Sequence, residues 1–309
     1  MNLINSSFIK LIPSLIATLG FIVIAGNCHS QFIENTKAQV LQSESYFNSQ
    51  AIKRKRIKTI TVTFFNKKEL RGINQIKGKS NHFLFDEEGR IERFYYTNNF
   101  YSNKSDTLVE WRYYKNNKLI TVKQASDKNI RVKSIFYEDD KQAIQILGTS
   151  YNLSNNLTTI NINSYQEKSA EYITHKVLRN GDKVTEWSFT DKTVFERLVI
   201  SQKDSVTVQE IHSFPVNDNN YSSFEYSYKN NLLTEMVERK SNKLDYYYSF
   251  HYDSNKNLVG YSKYTSKWES EIEVAELLYN EGTGNLQAIL IKNKINNSIK
   301  IRKFNYTYF

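Results

Sequence analysis

One recurring phrase constrains the fold of this 309-residue chain more than any other feature: apolar residues flank a single position, polar residues follow, and an aliphatic residue restarts the run. It reads Phe83-Leu84-Phe85-Asp86-Glu87-Glu88-Gly89-Arg90-Ile91 and again Phe250-His251-Tyr252-Asp253-Ser254-Asn255-Lys256-Asn257-Leu258. Looser copies are Tyr226-Ser227-Tyr228-Lys229-Asn230-Asn231-Leu232 and Leu277-Leu278-Tyr279-Asn280-Glu281-Gly282-Thr283-Gly284-Asn285-Leu286. Alternation with period two sends successive side chains to opposite faces of a strand, and a break rich in Asp, Asn and Gly turns the chain back. The phrase describes a β-hairpin used many times over. It describes no reaction.

From Ile57 onward period two dominates. Ile60, Val62 and Phe64 alternate with Thr59, Thr61 and Thr63; Tyr246, Tyr248, Phe250 and Tyr252 alternate with Tyr247, Ser249, His251 and Asp253; Phe304, Tyr306 and Tyr308 end the chain in the same way. Aromatic and β-branched residues suit the pleated surface. The aliphatic restarts Ile91, Leu119, Ile144, Val184, Leu232, Leu258 and Leu286 are spaced by 28, 25, 40, 48, 26 and 28 residues. Spacings near 26 fit two strands and two turns, and the gap of 48 leaves room for a degenerate copy around Val194 to Phe214. Self-similarity at such a period marks a repeat architecture. The expected fold is all-β: a repetitive antiparallel meander of hairpins forming an extended or coiled sheet, with a β-propeller or a β-sandwich as alternatives.

Tyr252-Asp253-Ser254-Asn255-Lys256-Asn257-Leu258 resembles the Tyr-Asp (YD, or Rhs-type) repeat, and Phe85-Asp86-Glu87-Glu88-Gly89-Arg90-Ile91 follows the same pattern with Phe for Tyr and Arg for Asn. Elsewhere the likeness decays, with Lys115 and Lys229 in place of the Asp and Lys256 in place of the Gly. Over about half the mature chain, the resemblance implies antiparallel strands in an exported or cell-surface protein. It carries no catalytic residues.

Residues 1–30 read as a secretory signal. Lys10 supplies the charge, and the apolar stretch Leu11 to Ala25 is too short to span a bilayer comfortably. Cleavage after Ser30 leaves Gln31 as the new N-terminus; a lipoprotein with Cys28 lipidated, and an uncleaved anchor, are the alternatives. Residues 31–52 are polar and weakly helical and read as a leader or linker, and 53–309 as the repetitive β domain. The chain carries 42 basic and 32 acidic residues, net +10, and loses Lys10 and its only cysteine with the signal. Stability then rests on packing and hydrogen bonds, without disulfides. The cluster Lys53-Arg54-Lys55-Arg56 with Lys58 could face anionic headgroups or polysaccharide, but is read as the solvated start of a strand.

The search for chemistry returns no catalytic, cofactor or metal set, and the binding residues stay unassigned. Gly72 to Ser80 imitates a phosphate loop with one residue too many and is followed by strand-like sequence. His82, His175, His212 and His251 lack metal-ligand spacing, and Asp253 to Asn257 lacks the glycine and final acid of a calcium loop. The acids Asp86, Glu87 and Glu88, or Glu138, Asp139 and Asp140, sit in predicted turns, where acids usually serve solubility. The resulting expectation is an exported, non-enzymatic binding or structural protein of a bacterial envelope, in the periplasm, at the cell surface or secreted. Its expected partner is an envelope protein or an acidic glycan, contacted by Tyr and Lys/Arg. Export argues against nucleic acid, and membrane contact would come only through the signal or a lipid on Cys28. The alternative is a polysaccharide-acting hydrolase with an unrecognised carboxylate pair, which two acids in one concave pocket would favour.

Overall fold

A computed structural model describes residues 31–41, 46–68, 71–98, 106–125, 129–138, 142–153, 165–190, 193–204, 206–213, 221–241, 243–265 and 270–309. A short helix, α1 (Ser49–Arg54), precedes the strands. The first nine are β1 (Ile57–Lys67), β2 (Asn74–Phe85), β3 (Ile91–Asn98), β4 (Asp106–Lys115), β5 (Lys118–Ala125), β6 (Asn129–Glu138), β7 (Gln142–Leu153), β8 (Tyr165–Asn180) and β9 (Lys183–Thr190). They are followed by β10 (Thr193–Lys203), β11 (Val206–Ser213), β12 (Tyr221–Lys229), β13 (Leu232–Lys240), β14 (Lys243–Tyr252), β15 (Leu258–Thr265), β16 (Glu271–Tyr279), β17 (Leu286–Asn293) and β18 (Ser298–Tyr308). Each pairs antiparallel with the next, so the all-β meander read from the alternation is the observed fold. β1 is bonded on both sides, to β2 and to β18, from Thr59 opposite Thr307 to Lys67 opposite Ile299. The two ends of the meander therefore meet at a β1–β18 seam.

The restart residues mark the odd strands. Ile91, Leu232, Leu258 and Leu286 open β3, β13, β15 and β17, and Leu119, Ile144 and Val184 fall within the first three residues of β5, β7 and β9. The degenerate copy in the long gap is the β10–β11 hairpin.

The turns between them follow from side-chain chemistry. Asp86 Oδ1 accepts from the backbone N–H of Glu88 (3.0 Å) and Arg90 (2.9 Å), closing the β2–β3 turn. Asp253 Oδ1 accepts from Asn257 N–H (2.8 Å) between β14 and β15, and Asn280 Oδ1 from Thr283 N–H (2.8 Å) between β16 and β17. Asp253 to Asn257 is thus turn chemistry. Asn116 and Asn117 (φ 50° and 63°) and Asn230 and Asn231 (φ 53° and 61°) make two-residue turns with both central residues left-handed, as tight hairpins require.

A second device ties one hairpin to the hairpin before it. The hydroxyl of Tyr114 donates to Ile91 O (3.0 Å), that of Tyr252 to Leu233 O (2.8 Å) and that of Tyr279 to Leu258 O (2.8 Å). Tyr228 and Tyr306 do the same to Thr207 O and Leu286 O. The tyrosine of the recurring phrase is therefore a rivet. Its ring lies on the core face and its hydroxyl satisfies a carbonyl near the start of an earlier strand.

The core lies on one face of the sheet. Ile60 and Val62 (β1), Phe83 and Phe85 (β2), Phe94 (β3), Phe250 (β14), Leu258 (β15), Leu286 (β17) and Phe304 (β18) are all buried there. Residues 31–52, read in the sequence as a polar leader, enter this same core: Phe32, Ile33, Val40, Tyr46, Phe47, Ala51 and Ile52 are buried. Composition misleads here, because a few apolar residues in a polar segment are enough when an open sheet face awaits them. Phe47 packs edge-on against Phe83 at 5.1 Å and Phe304 at 6.3 Å, bridging β2 and β18 across β1. Asn48 caps α1 by accepting from Gln50 and Ala51 N–H. The helix then rests on the β2–β3 turn. At Gly89 (φ 76°) an added Cβ would come within 2.1 Å of Ser49 O, so only glycine fits.

Candidate functional site: a basic depression on the outer face

On the face opposite the core, strands β10 to β13 form an open depression of about 740 Å³. Register builds it. Arg197 pairs with Ser213 and Ser213 with Tyr221; Ile211 pairs with Ser223 and Ser223 with Arg239. Small side chains occupy the middle of these rows, with Ser223 only 6% exposed, while Arg197, Tyr221 and Arg239 stand around them. Short residues between long ones make the hollow.

Its charge is positive. Glu225 accepts from Arg239 Nε at 3.4 Å, whereas Arg197 has no carboxylate partner among the described residues. Two guanidinium groups, an amide from Gln209 and the ring of Tyr221 give planar donors for an oxyanion beside a surface on which a sugar ring can stack. Among the described residues, Glu225 is the only acid lining the hollow.

The acids singled out in the sequence lie elsewhere. Asp86 is tied up in its turn and in an ion pair with Arg90 (2.7 Å), and Glu88 pairs with Lys53 of α1 (2.6 Å). The side chain of Glu138, and the whole of Asp139 and Asp140, lie outside the described residues, as do residues 1–30 and the side chain of His175. The basic cluster runs from a helix end into a strand: Lys53 and Arg54 form the last turn of α1, Lys55 and Arg56 lead into β1, and Lys58 is its second residue. Lys55 reaches Thr283 O and lies 5.8 Å over the Phe32 ring, with its pKa lowered by burial and by Arg54. Of the stretch Gly72 to Ser80, Asn74 onward is already part of β2, with no helix after it.

The histidines occupy separate strands. His82 stacks on Tyr95 at 4.3 Å and hydrogen-bonds Thr61 and Ser80, with its pKa lowered by burial. His212 lies edge-on to Phe224, and His251 is exposed on β14.

Tyrosines do decorate both faces. Tyr246 and Tyr248 pack on the core side, while Tyr247 meets Tyr264 across strands on the other side at 5.6 Å. Burial and a hydrogen bond to Glu235 push the Tyr247 hydroxyl up to about 12. Sequence reasoning foresaw exposed Tyr with Lys/Arg but not the meeting of Arg197, Tyr221 and Arg239. Those residues converge only through the pairing of four strands, for which no local signal exists.

No protein-family model and no curated protein matches the chain. Several solved structures resemble it. A porin-like protein from Bacteroides uniformis shares 9% identity, covering 81% of this chain and 98% of that one, with a TM-score of 0.41. A LolA superfamily protein from Nitrosomonas europaea shares 9%, covering 83% and 91%, with a TM-score of 0.23. A DUF1329 family protein from Desulfovibrio piger shares 6%, covering 84% and 91%, with a TM-score of 0.26. The YD-repeat resemblance does not hold. No family model matches the chain, that of the YD repeat included. The Tyr-Asp pairing arises here from two separate needs, a rivet and a turn cap, that happen to be adjacent in sequence.

Proposed function

We propose that this chain is an exported, non-enzymatic binding protein of a bacterial envelope, and that the depression on β10 to β13 takes an acidic glycan. The observation that carries this reading is the convergence of Arg197, Arg239 and Tyr221 around a serine-floored hollow in which the only acid among the described residues, Glu225, is already engaged by Arg239. A guanidinium pair suits a carboxylate or sulfate, and an aromatic ring suits the apolar face of a sugar. Hydrolysis of a glycosidic bond needs a pair of carboxyl groups across the scissile bond, and the described residues of the hollow supply one. Export rests on the signal-like residues 1–30. Cleavage after Ser30 leaves every core residue of the N-terminal segment in place.

Affinity electrophoresis in gels containing polygalacturonate, with dextran as the uncharged control, tests the reading. Retardation by polygalacturonate alone, abolished in the double variant Arg197→Gln/Arg239→Gln, is the expected result. Equal mobility in both gels, or retardation that the double variant keeps, would overturn it.

A further inference from the structure

A second group of cations lies on the other face of the sheet. Arg302 and Lys300 project from β18 on the side that carries Phe304, and each stands directly opposite a β1 residue: Arg302 opposite Phe64, Lys300 opposite Asn66. From β2, Lys79 places its ammonium 4.8 Å over the Phe64 ring. The strand register thus places all three on the core face around Phe64 and Asn66 of β1, with the ammonium of Lys79 over the Phe64 ring. None of them pairs with a carboxylate among the described residues. Burial, then Arg302, then Lys300 lower the Lys79 pKa, so the neighbours are felt as repulsion.

Two details separate this group from an ordinary solvated patch. Arg302 lies near the hydroxyl of Tyr46, buried in the N-terminal segment, where its charge opposes the upward push of burial on that hydroxyl's pKa. Beside Lys300, the Oδ1 atom of Asn66 is buried with no hydrogen-bond partner. A buried acceptor without a donor is costly, and so are like charges held together without an anion. One ligand removes both costs if it carries an oxyanion for the cations and a hydroxyl for Asn66.

We infer that Lys79, Lys300, Arg302 and Asn66 form a second binding site, on the core face, for a small hydroxylated oxyanion such as a sugar acid. This site is independent of the outer depression and of the glycan reading given to it.

Calorimetric titration of the full chain at low ionic strength with glucuronate, inorganic sulfate, inorganic phosphate and glucose tests the inference. Glucuronate is expected to bind and glucose not to. Lys300→Gln and Lys79→Gln should each weaken glucuronate by roughly tenfold or more, the scale of one charge-assisted hydrogen bond. Both should leave the melting temperature of the unliganded protein unchanged or raised, since repulsion is relieved, so lost binding cannot be mistaken for lost folding. Arg197→Gln/Arg239→Gln should leave this binding intact, which separates the site from the outer depression. Three outcomes overturn the inference: no heat with glucuronate, an equal loss in the exposed-lysine control Lys229→Gln, or binding of sulfate and phosphate without glucuronate.

Discussion

At the scale of single residues, Glu210 shows how the N-terminal segment is held. It projects from the core face of β11 and accepts from Lys37 and from the Tyr226 hydroxyl (3.0 Å), with His212 Nε2 3.9 Å away. Burial alone would raise its pKa, but the nearby His212, hydrogen bonds from Lys37 and Tyr226, and the Lys37 charge hold it at about 2. A carboxylate depressed in the folded state contributes stability that is present above its unfolded value near 4.5 and is lost as pH falls towards 2. Allowing for solvent screening at Lys37, the contribution at neutral pH is about 1–2 kcal/mol. Guanidinium unfolding of Glu210→Gln against the parent should show that difference at pH 7 and a clearly smaller one at pH 2.5, where the group begins to protonate in the folded state. A gap that stays constant with pH would mean that the carboxylate's charge is not what Lys37 recognises.

At the scale of elements, the hairpin is a unit with a turn cap at one position and a rivet beside it. Replacing Tyr279 by Phe keeps the ring in the core but removes the donor to Leu258 O, which ties β16 to the start of β15. The expected cost is about 1 kcal/mol, the net worth of one buried hydrogen bond. Urea denaturation measures it, and a change of less than a few tenths would show that the rivet is geometric only. The hairpins themselves were readable from the sequence because their causes are local. Alternation sets the faces, Asn116-Asn117 and Asn230-Asn231 supply the left-handed turn, and Asp86 and Asp253 cap theirs. The rivets were not readable, since each joins residues about 20 positions apart.

At the scale of the molecule, the sheet is completed by two long-range events, the β1–β18 seam and the seating of residues 31–54 on the core face. Phe47 serves both, because its ring touches residues of β2 and β18, the two strands flanking β1. Phe47→Ala should cost about 3–5 kcal/mol, the usual range for emptying a buried aromatic site. Chemical denaturation would read this as a lowered midpoint, and a loss below about 1 kcal/mol would mean that the segment lies on the sheet without supporting it.

The sequence by itself determined that the chain folds as a long antiparallel meander, where most of its strands begin, and that aromatic residues occupy both faces. These properties depend on neighbours within a few positions. Only the tertiary structure decided that the polar-looking residues 31–52 belong to the core, that the first and last strands meet, and that Arg197, Tyr221 and Arg239 converge on one face while Lys79, Lys300 and Arg302 converge on the other. Each of those outcomes depends on inter-strand register. Register is set by the sum of many weak cross-strand contacts and leaves no mark on any single stretch of sequence.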